Sequence, residues 1–194
     1  MADLDHDFWK ERYDDGKTGW NIGYPSDPIV AYIDQLESKD LDILIPGAGN
    51  AYEAEHLWKL GFKNLVVIDL VEAPLKNLKS RCPDIPDAQL IQGDFFDHNG
   101  EYDLIIEQTF FCALPPSMRE RYVSKMHQLL KPSGCIAGVM FKFPLTEQGP
   151  PFGGSEEEYR GYYQDGWEIR HLEECYNSIE PRMGNELFVE VFRK

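Results

Sequence analysis

Leu41-Asp-Ile-Leu-Ile-Pro-Gly-Ala-Gly-Asn-Ala-Tyr-Glu53 is the stretch that decides the fold of this chain. An apolar run enters a Gly-x-Gly turn, and helix-forming residues follow it. That order predicts a buried strand whose carboxyl end meets a tight turn and then a helix amino terminus. Gly47 and Gly49 have no side chain, so the backbone there can approach a ligand closely, and the amides opening the helix face the same spot. Asp69, 20 residues after Gly49, closes the next apolar run, Asn64-Leu-Val-Val-Ile-Asp69. A carboxylate at the tip of a neighbouring strand can accept both hydroxyls of a ribose. Turn and acid together point to a nucleoside.

Working outward, apolar strands alternate with helices. An amphipathic opening, Asp7 to Asp14, leads through a Gly/Pro-rich loop with Trp20, Gly23, Pro25 and Pro28 to a helix around residues 29–36. Strands are expected at 42–45, 65–68, 89–92, 102–108 and 135–140, and helices at 51–60, 73–80, 117–130 and 156–163, with Lys131-Pro-Ser-Gly134 as a stop before the fifth strand. The runs 167–176 and 187–192, joined by a turn with Pro181 and Gly184, suggest an antiparallel pair at a sheet edge. Such alternation argues for a largely parallel sheet covered by helices on both faces.

At 194 residues, 42% hydrophobic and 27% charged, the composition is that of one globular domain. No apolar stretch approaches the roughly 20 residues that span a bilayer, and the acidic start is unlike a targeting segment, so the expected location is the cytoplasm. The net charge of −15, from 19 basic and 34 acidic residues, repels nucleic acid at long range. No nucleic-acid or membrane partner is expected, and a monomer suits the size. Cys82, Cys112, Cys135 and Cys175 lack paired spacing and read as buried thiols, while the five histidines show no metal-ligand spacing.

A nicotinamide dehydrogenase shares the turn and the acid with a methyltransferase that uses S-adenosylmethionine. Three features separate them. Bulky Tyr52 stands where a dinucleotide site usually wants a third glycine. Gly93-Asp94-Phe95 closes the third strand, where an acid can accept from an adenine amino group while the aromatic covers the base. The closing strand pair is one that a doubly wound dehydrogenase does not need.

The order Ile-Pro-Gly-Ala-Gly49, Val-Ile-Asp69, Gln-Gly-Asp94-Phe95, Tyr-Asp-Leu-Ile-Ile-Glu107 and Leu-Leu-Lys-Pro-Ser-Gly134 resembles class I methyltransferases. The finer pattern, Phe8-Trp9-x-x-x-Tyr13 with Gly19-Trp20, Phe110-Phe-Cys-Ala-Leu-Pro-Pro-Ser-Met-Arg119 and Gly149-Pro-Pro-Phe152, is similar to the thiopurine S-methyltransferase superfamily with its halide and thiol methyltransferases. The resemblance implies an α/β, single-domain Rossmann-like fold over 1–194. Its seven-stranded, mostly parallel sheet runs 3-2-1-4-5-7-6 with strand seven antiparallel and helices on both faces. Residues 1–36 form an amino-terminal lid segment and helix, and 37–194 the core. It further implies S-adenosylmethionine as cofactor, S-adenosylhomocysteine as product, and cofactor contacts at Trp9, Tyr13, Trp20, Gly47, Gly49, Asp69, Asp94, Phe95, Glu107 and Gln108. Gln108 stands where thiopurine-type enzymes are expected to carry arginine, and Asn50-Ala51 where the plant halide and thiol branch carries glycines.

The implied reaction is in-line methyl transfer to a small soft nucleophile: a thiol, sulfide, halide or thiopurine-like acceptor. Such a nucleophile needs little proton removal near neutral pH, so no catalytic base and no metal are expected. Positioning and exclusion of water carry the rate. Trp9, Tyr13 and Trp20 can face a positive sulfonium as a lid, although Trp9 and Tyr13 at i and i+4 equally suit a packed helix face. Tyr24, Phe110, Phe111, Phe152 and Arg182 are candidate acceptor contacts; at least one of the paired phenylalanines also suits the core. Glu107 reads as an exposed acid able to accept from the cofactor's ammonium group, and Arg119 as a solvated partner for acids. The alternatives are a small-molecule O- or N-methyltransferase, which needs a positioned base, and a non-catalytic nucleoside-binding module.

Overall fold

The structure, a computed structural model, describes residues 4–194. Seven strands form one sheet: β1 (Ile43–Pro46), β2 (Leu65–Asp69), β3 (Leu90–Gln92), β4 (Tyr102–Gln108), β5 (Leu130–Phe141), β6 (Trp167–Glu174) and β7 (Glu186–Arg193), in the spatial order 3-2-1-4-5-7-6. The pairs β3/β2, β2/β1, β1/β4 and β4/β5 are parallel; β7 runs antiparallel to both β5 and β6. This is the expected α/β topology.

Side-chain alternation explains why the apolar runs are continuous. Ile43 and Ile45 of β1, Leu65 and Val67 of β2, and Leu104 and Ile106 of β4 enter one core. Leu44, Ile68 and Ile105 between them enter the other. A strand buried on both faces favours apolar residues at every position. The first core is covered by α2 (Asp27–Ile33), α3 (Tyr52–Lys59) and α4 (Glu72–Arg81), and the second by α5 (Phe110–Ala113), α6 (Arg119–Leu129) and α7 (Glu156–Tyr162). Ile29 and Ile33 of α2 are fully buried, each contributing about 2 kcal/mol by the area removed from water. By contrast α1 (His6–Asp14), capped by Asp5 accepting from the Phe8 amide at 3.0 Å, buries no residue completely. It therefore rests on the molecule rather than in it.

Three expectations are corrected. The fifth strand starts at Leu130, five residues before Cys135, because Leu130 pairs with Tyr102 and the run Lys131 to Gly134 is absorbed by a register break against β4. Gly134 is needed there, since a Cβ would lie 2.9 Å from the Tyr102 carbonyl oxygen. The turn of helix at Phe110–Ala113 was not expected at all. Arg119 is fully buried, not solvated: Nη1 pairs with Glu158 Oε1 at 2.6 Å, Nη2 donates to the Gly153 carbonyl at 2.7 Å, and the guanidinium lies 4.7 Å from the Phe111 ring centre. All four cysteines are free and buried. No helix among the described residues is long and apolar enough to cross a membrane.

Candidate active site

The carboxyl ends of β1, β2, β3 and β4 open into a cavity of about 820 Å³ roofed by the amino-terminal segment. Ligands of open α/β sheets bind at this end, beside the strand where the order reverses. Gly47 and Gly49 turn the chain after β1 with φ of 60° and 56°. A Cβ on Gly47 would run into the Phe110 ring, and one on Gly49 would meet Trp20 Cδ1 at 3.4 Å, so the turn is tight on both sides. Ala51, also at positive φ (53°), caps α3 without any side-chain hydrogen bond, which leaves the first amides of that helix directed at the cavity edge. Thr109 repeats the device after β4, with φ of 55°. Non-glycine residues in this conformation are strained and gather at functional sites.

Asp69 lies at the tip of β2, where its carboxylate accepts from the Val71 amide at 2.9 Å. Burial pushes its pKa up to about 6, against backbone amides of Val71, Gly49, Ala48 and Leu70 that favour the charged form. Asp94 follows β3 and accepts from the Phe96 amide at 2.8 Å, and Phe95 packs edge-on to Phe110 with ring centres 5.4 Å apart. The Gln108 side-chain oxygen is buried in the cavity wall with no hydrogen-bond partner. A buried acceptor in that state costs about 1–3 kcal/mol unless a donor reaches it. Opposite stand Trp9, Tyr13 and Trp20, with Trp20 edge-on to Trp9 at 5.7 Å and to Tyr13 at 5.6 Å. The Tyr13 hydroxyl donates to the Gly49 carbonyl at 3.2 Å, fastening α1 to the turn, and burial drives the phenol well above its ordinary pKa.

Twelve of the fifteen residues singled out from the sequence line this one cavity: Trp9, Tyr13, Trp20, Tyr24, Gly47, Gly49, Asp69, Asp94, Phe95, Gln108, Phe110 and Arg182. Three do not. Glu107 is fully buried beneath the site, where it accepts from the Phe111 amide at 3.0 Å and from the Tyr122 hydroxyl; burial raises its pKa to about 7. Instead of facing a ligand it caps α5 from inside, holding Gln108, Thr109 and Phe110 in place. Phe111 points into the second core against Tyr122 and Tyr159. Phe152 is buried with its amide on the Cys112 carbonyl at 2.8 Å, and its neighbours Pro150 and Pro151 reach the cavity in its stead.

Sequence reading missed several lining residues. Glu53, buried, accepts from the Ser26 amide at 2.8 Å, and burial raises its pKa. Leu114, Met118 and Phe141 line an apolar part of the wall. Only Glu53 carried a signal, as an acid in the first turn of the helix after the glycine turn. No histidine or cysteine lines the cavity, and among the described residues no His/Cys/Asp/Glu group could hold a metal ion.

Comparison with known proteins gives the family and the fold. The family model described as Thiopurine S-methyltransferase matches residues 4–193. The chain is 28% identical to a probable thiol methyltransferase 2 of Arabidopsis thaliana over 92% of this chain and 81% of that one. It is 25% identical to a thiopurine S-methyltransferase of Acinetobacter baylyi over 94% of each. Among solved structures, a 1,6-didemethyltoxoflavin-N1-methyltransferase of Burkholderia thailandensis with bound S-adenosylhomocysteine superposes with a TM-score of 0.74 at 18% identity, covering 97% of this chain and 86% of that one; at such identity the likeness shows the fold. A TehB-like methyltransferase of Corynebacterium glutamicum gives 0.66 at 19%, covering 97% of each. With the match running along nearly its whole length, the chain belongs to the thiopurine S-methyltransferase family of S-adenosylmethionine-dependent methyltransferases.

Proposed function

We propose that this chain moves a methyl group from S-adenosylmethionine to a small soft nucleophile, a thiol, sulfide, halide or thiopurine-like acceptor, without a dedicated base. The observation that carries the reading is one cavity that presents Asp69 and Asp94 at neighbouring strand tips, with Gln108 in its wall and Trp9, Tyr13 and Trp20 around it. The donor fits this set: Asp69 would take the ribose hydroxyls, Asp94 and Phe95 the adenine, and Gln108 the ammonium of the methionine part. When bound, S-adenosylmethionine supplies an electrophilic methyl group on a sulfonium centre.

The chain's own residues then have three tasks. The glycine turn and the open end of α3 allow close backbone approach, and the rigid strand tips fix orientation. Trp9, Tyr13 and Trp20 turn aromatic surface toward a cation and exclude water. The apolar wall of Leu114, Met118, Phe141 and Pro151 suits an acceptor that gives up its hydration easily. Base-free transfer is supported by the groups that line the cavity. Lys17 is paired with Asp15 at 2.7 Å, which raises its pKa and keeps it protonated, and the Tyr13 phenol is held neutral by burial. In this reading residues 1–36 act as lid and first helix for a core spanning 37–194, in a cytoplasmic monomer whose acidity disfavours nucleic acid.

The test is a methyl-transfer assay with labelled donor against a panel of thiols, sulfide, halides and a thiopurine. Methylated product is expected, with a rate that follows the ionisation of the acceptor thiol. Binding of S-adenosylhomocysteine with no product from any member of the panel would contradict the reading.

A further inference from the structure

We propose that Arg182 is a positioning residue that latches the lid, and not a ligand of the acceptor; the proposal rests on the methyl-transfer reading above, in which Trp20 covers the donor. Arg182 ends the short turn Glu180–Arg182 between β6 and β7 and lines the cavity, so it invites assignment as the cation for an anionic substrate. Both of its terminal nitrogens already donate. Nη2 donates to the Trp20 carbonyl at 3.0 Å, across 162 residues of chain, and Nη1 donates to Glu186 Oε1 at 3.3 Å. Glu186 opens β7 and is 2% exposed, so the anchor is rigid. A planar fork that bridges a carboxylate and a carbonyl is a task suited to guanidinium.

The same loop is held at its other end by Glu53, which takes the Ser26 amide at 2.8 Å. Arg182 also favours the charged form of Glu53, so the two ties support each other. Gly23 lies between them and Gly19 just before Trp20, an added Cβ at either would meet nothing within 4 Å, and α1 buries no residue completely. Loop and helix therefore depend on these ties, on the Tyr13 hydroxyl bond to the Gly49 carbonyl, and on aromatic edge contacts. The Trp20 ring faces Gly49, so a shift of the Trp20 backbone would carry the ring off the glycine turn. Of the other cations of the cavity, Lys17 pairs with Asp15 at 2.7 Å in an exposed ion pair and Arg12 lies over the Phe8 ring at 4.8 Å. With Arg182 held in the latch, it does not serve as the charge partner of an anionic acceptor.

The test uses the full chain, its Arg182→Met variant and Glu186→Gln, which loosens the latch from a residue outside the cavity. Amide hydrogen exchange without ligand, S-adenosylhomocysteine affinity, and KM for two aryl thiols that differ in one carboxylate, thiophenol and 4-mercaptobenzoate, are measured. The latch predicts faster exchange at Asn21 and Gly23 and about tenfold weaker S-adenosylhomocysteine binding in Arg182→Met, a smaller change of the same kind in Glu186→Gln, and an unchanged ratio of the two KM values. Unchanged exchange in Arg182→Met, or a KM increase confined to 4-mercaptobenzoate, would overturn it. Failure of the parent chain to bind S-adenosylhomocysteine would instead count against the methyl-transfer reading, and the exchange measurement would still decide the latch.

Discussion

Asp69 and Glu107 carry the same functional group in two settings, one at the cavity and one buried beneath it. Both carboxyls are raised by burial, Asp69 to about 6 and Glu107 to about 7. A raised acid stabilises the folded state below its unfolded pKa and loses that contribution as pH rises through the folded value. These two groups should therefore lower the melting temperature of the ligand-free chain as pH rises from about 4 to about 7, and Asp69→Asn should remove the part of that slope between about 4 and about 6. Binding works in the opposite sense. Ribose hydroxyls donating to Asp69 favour its ionised form, so calorimetry should show proton release and an affinity for S-adenosylhomocysteine that increases with pH up to about 6 and then levels. At neutral pH, Asp69→Ala should weaken that affinity by about 2 kcal/mol, the scale of a hydrogen bond to a charged group. An unchanged affinity would remove Asp69 from the site.

At the scale of elements, the close approach of β4 and β5 governs the site, because Gln108 and Thr109 hang from the end of β4. Gly138 faces Glu107 across this pair, and a Cβ there would overlap the Glu107 carbonyl oxygen. Gly138→Ala should therefore cost about 3 kcal/mol of stability, read as a lower denaturant midpoint at unchanged slope, by the usual penalty of overpacking. A neutral effect would show that the strands part more easily than their packing implies. The strands and the two acids at their tips were legible in the sequence because each depends on a short stretch: continuous apolar runs between turn signals, and an acid closing a run. What escaped was long-range. Glu107 looks exposed until Tyr122, 15 residues on, supplies its hydroxyl. Arg119 looks solvated until Gly153 and Glu158, 34 and 39 residues away, arrive to receive it. The turn Phe110–Ala113 has no cap of its own in sequence, since its cap is the side chain of Glu107.

For the whole molecule, the division of labour is between a rigid sheet and a lightly held cover. The sheet buries both faces and brings four parallel strand ends together, so the positions of Asp69, Asp94 and Gln108 follow from topology. The cover, from α1 through Ser26, is joined to the core by Tyr13 on Gly49, Arg182 on Trp20 and Glu53 on Ser26. In the proposed reaction the donor would enter with those ties open and be shielded from water with them closed. The net charge of −15 gives no long-range help to an anionic acceptor. The most direct measurement is a crystal structure with S-adenosylhomocysteine bound. Ribose against Asp69, adenine beside Asp94 and Phe95, and the amino group within hydrogen-bond reach of the Gln108 oxygen, under Trp9 and Trp20, is the predicted result. A ligand lodged elsewhere, or one bound with both indoles turned away from it, would contradict the account.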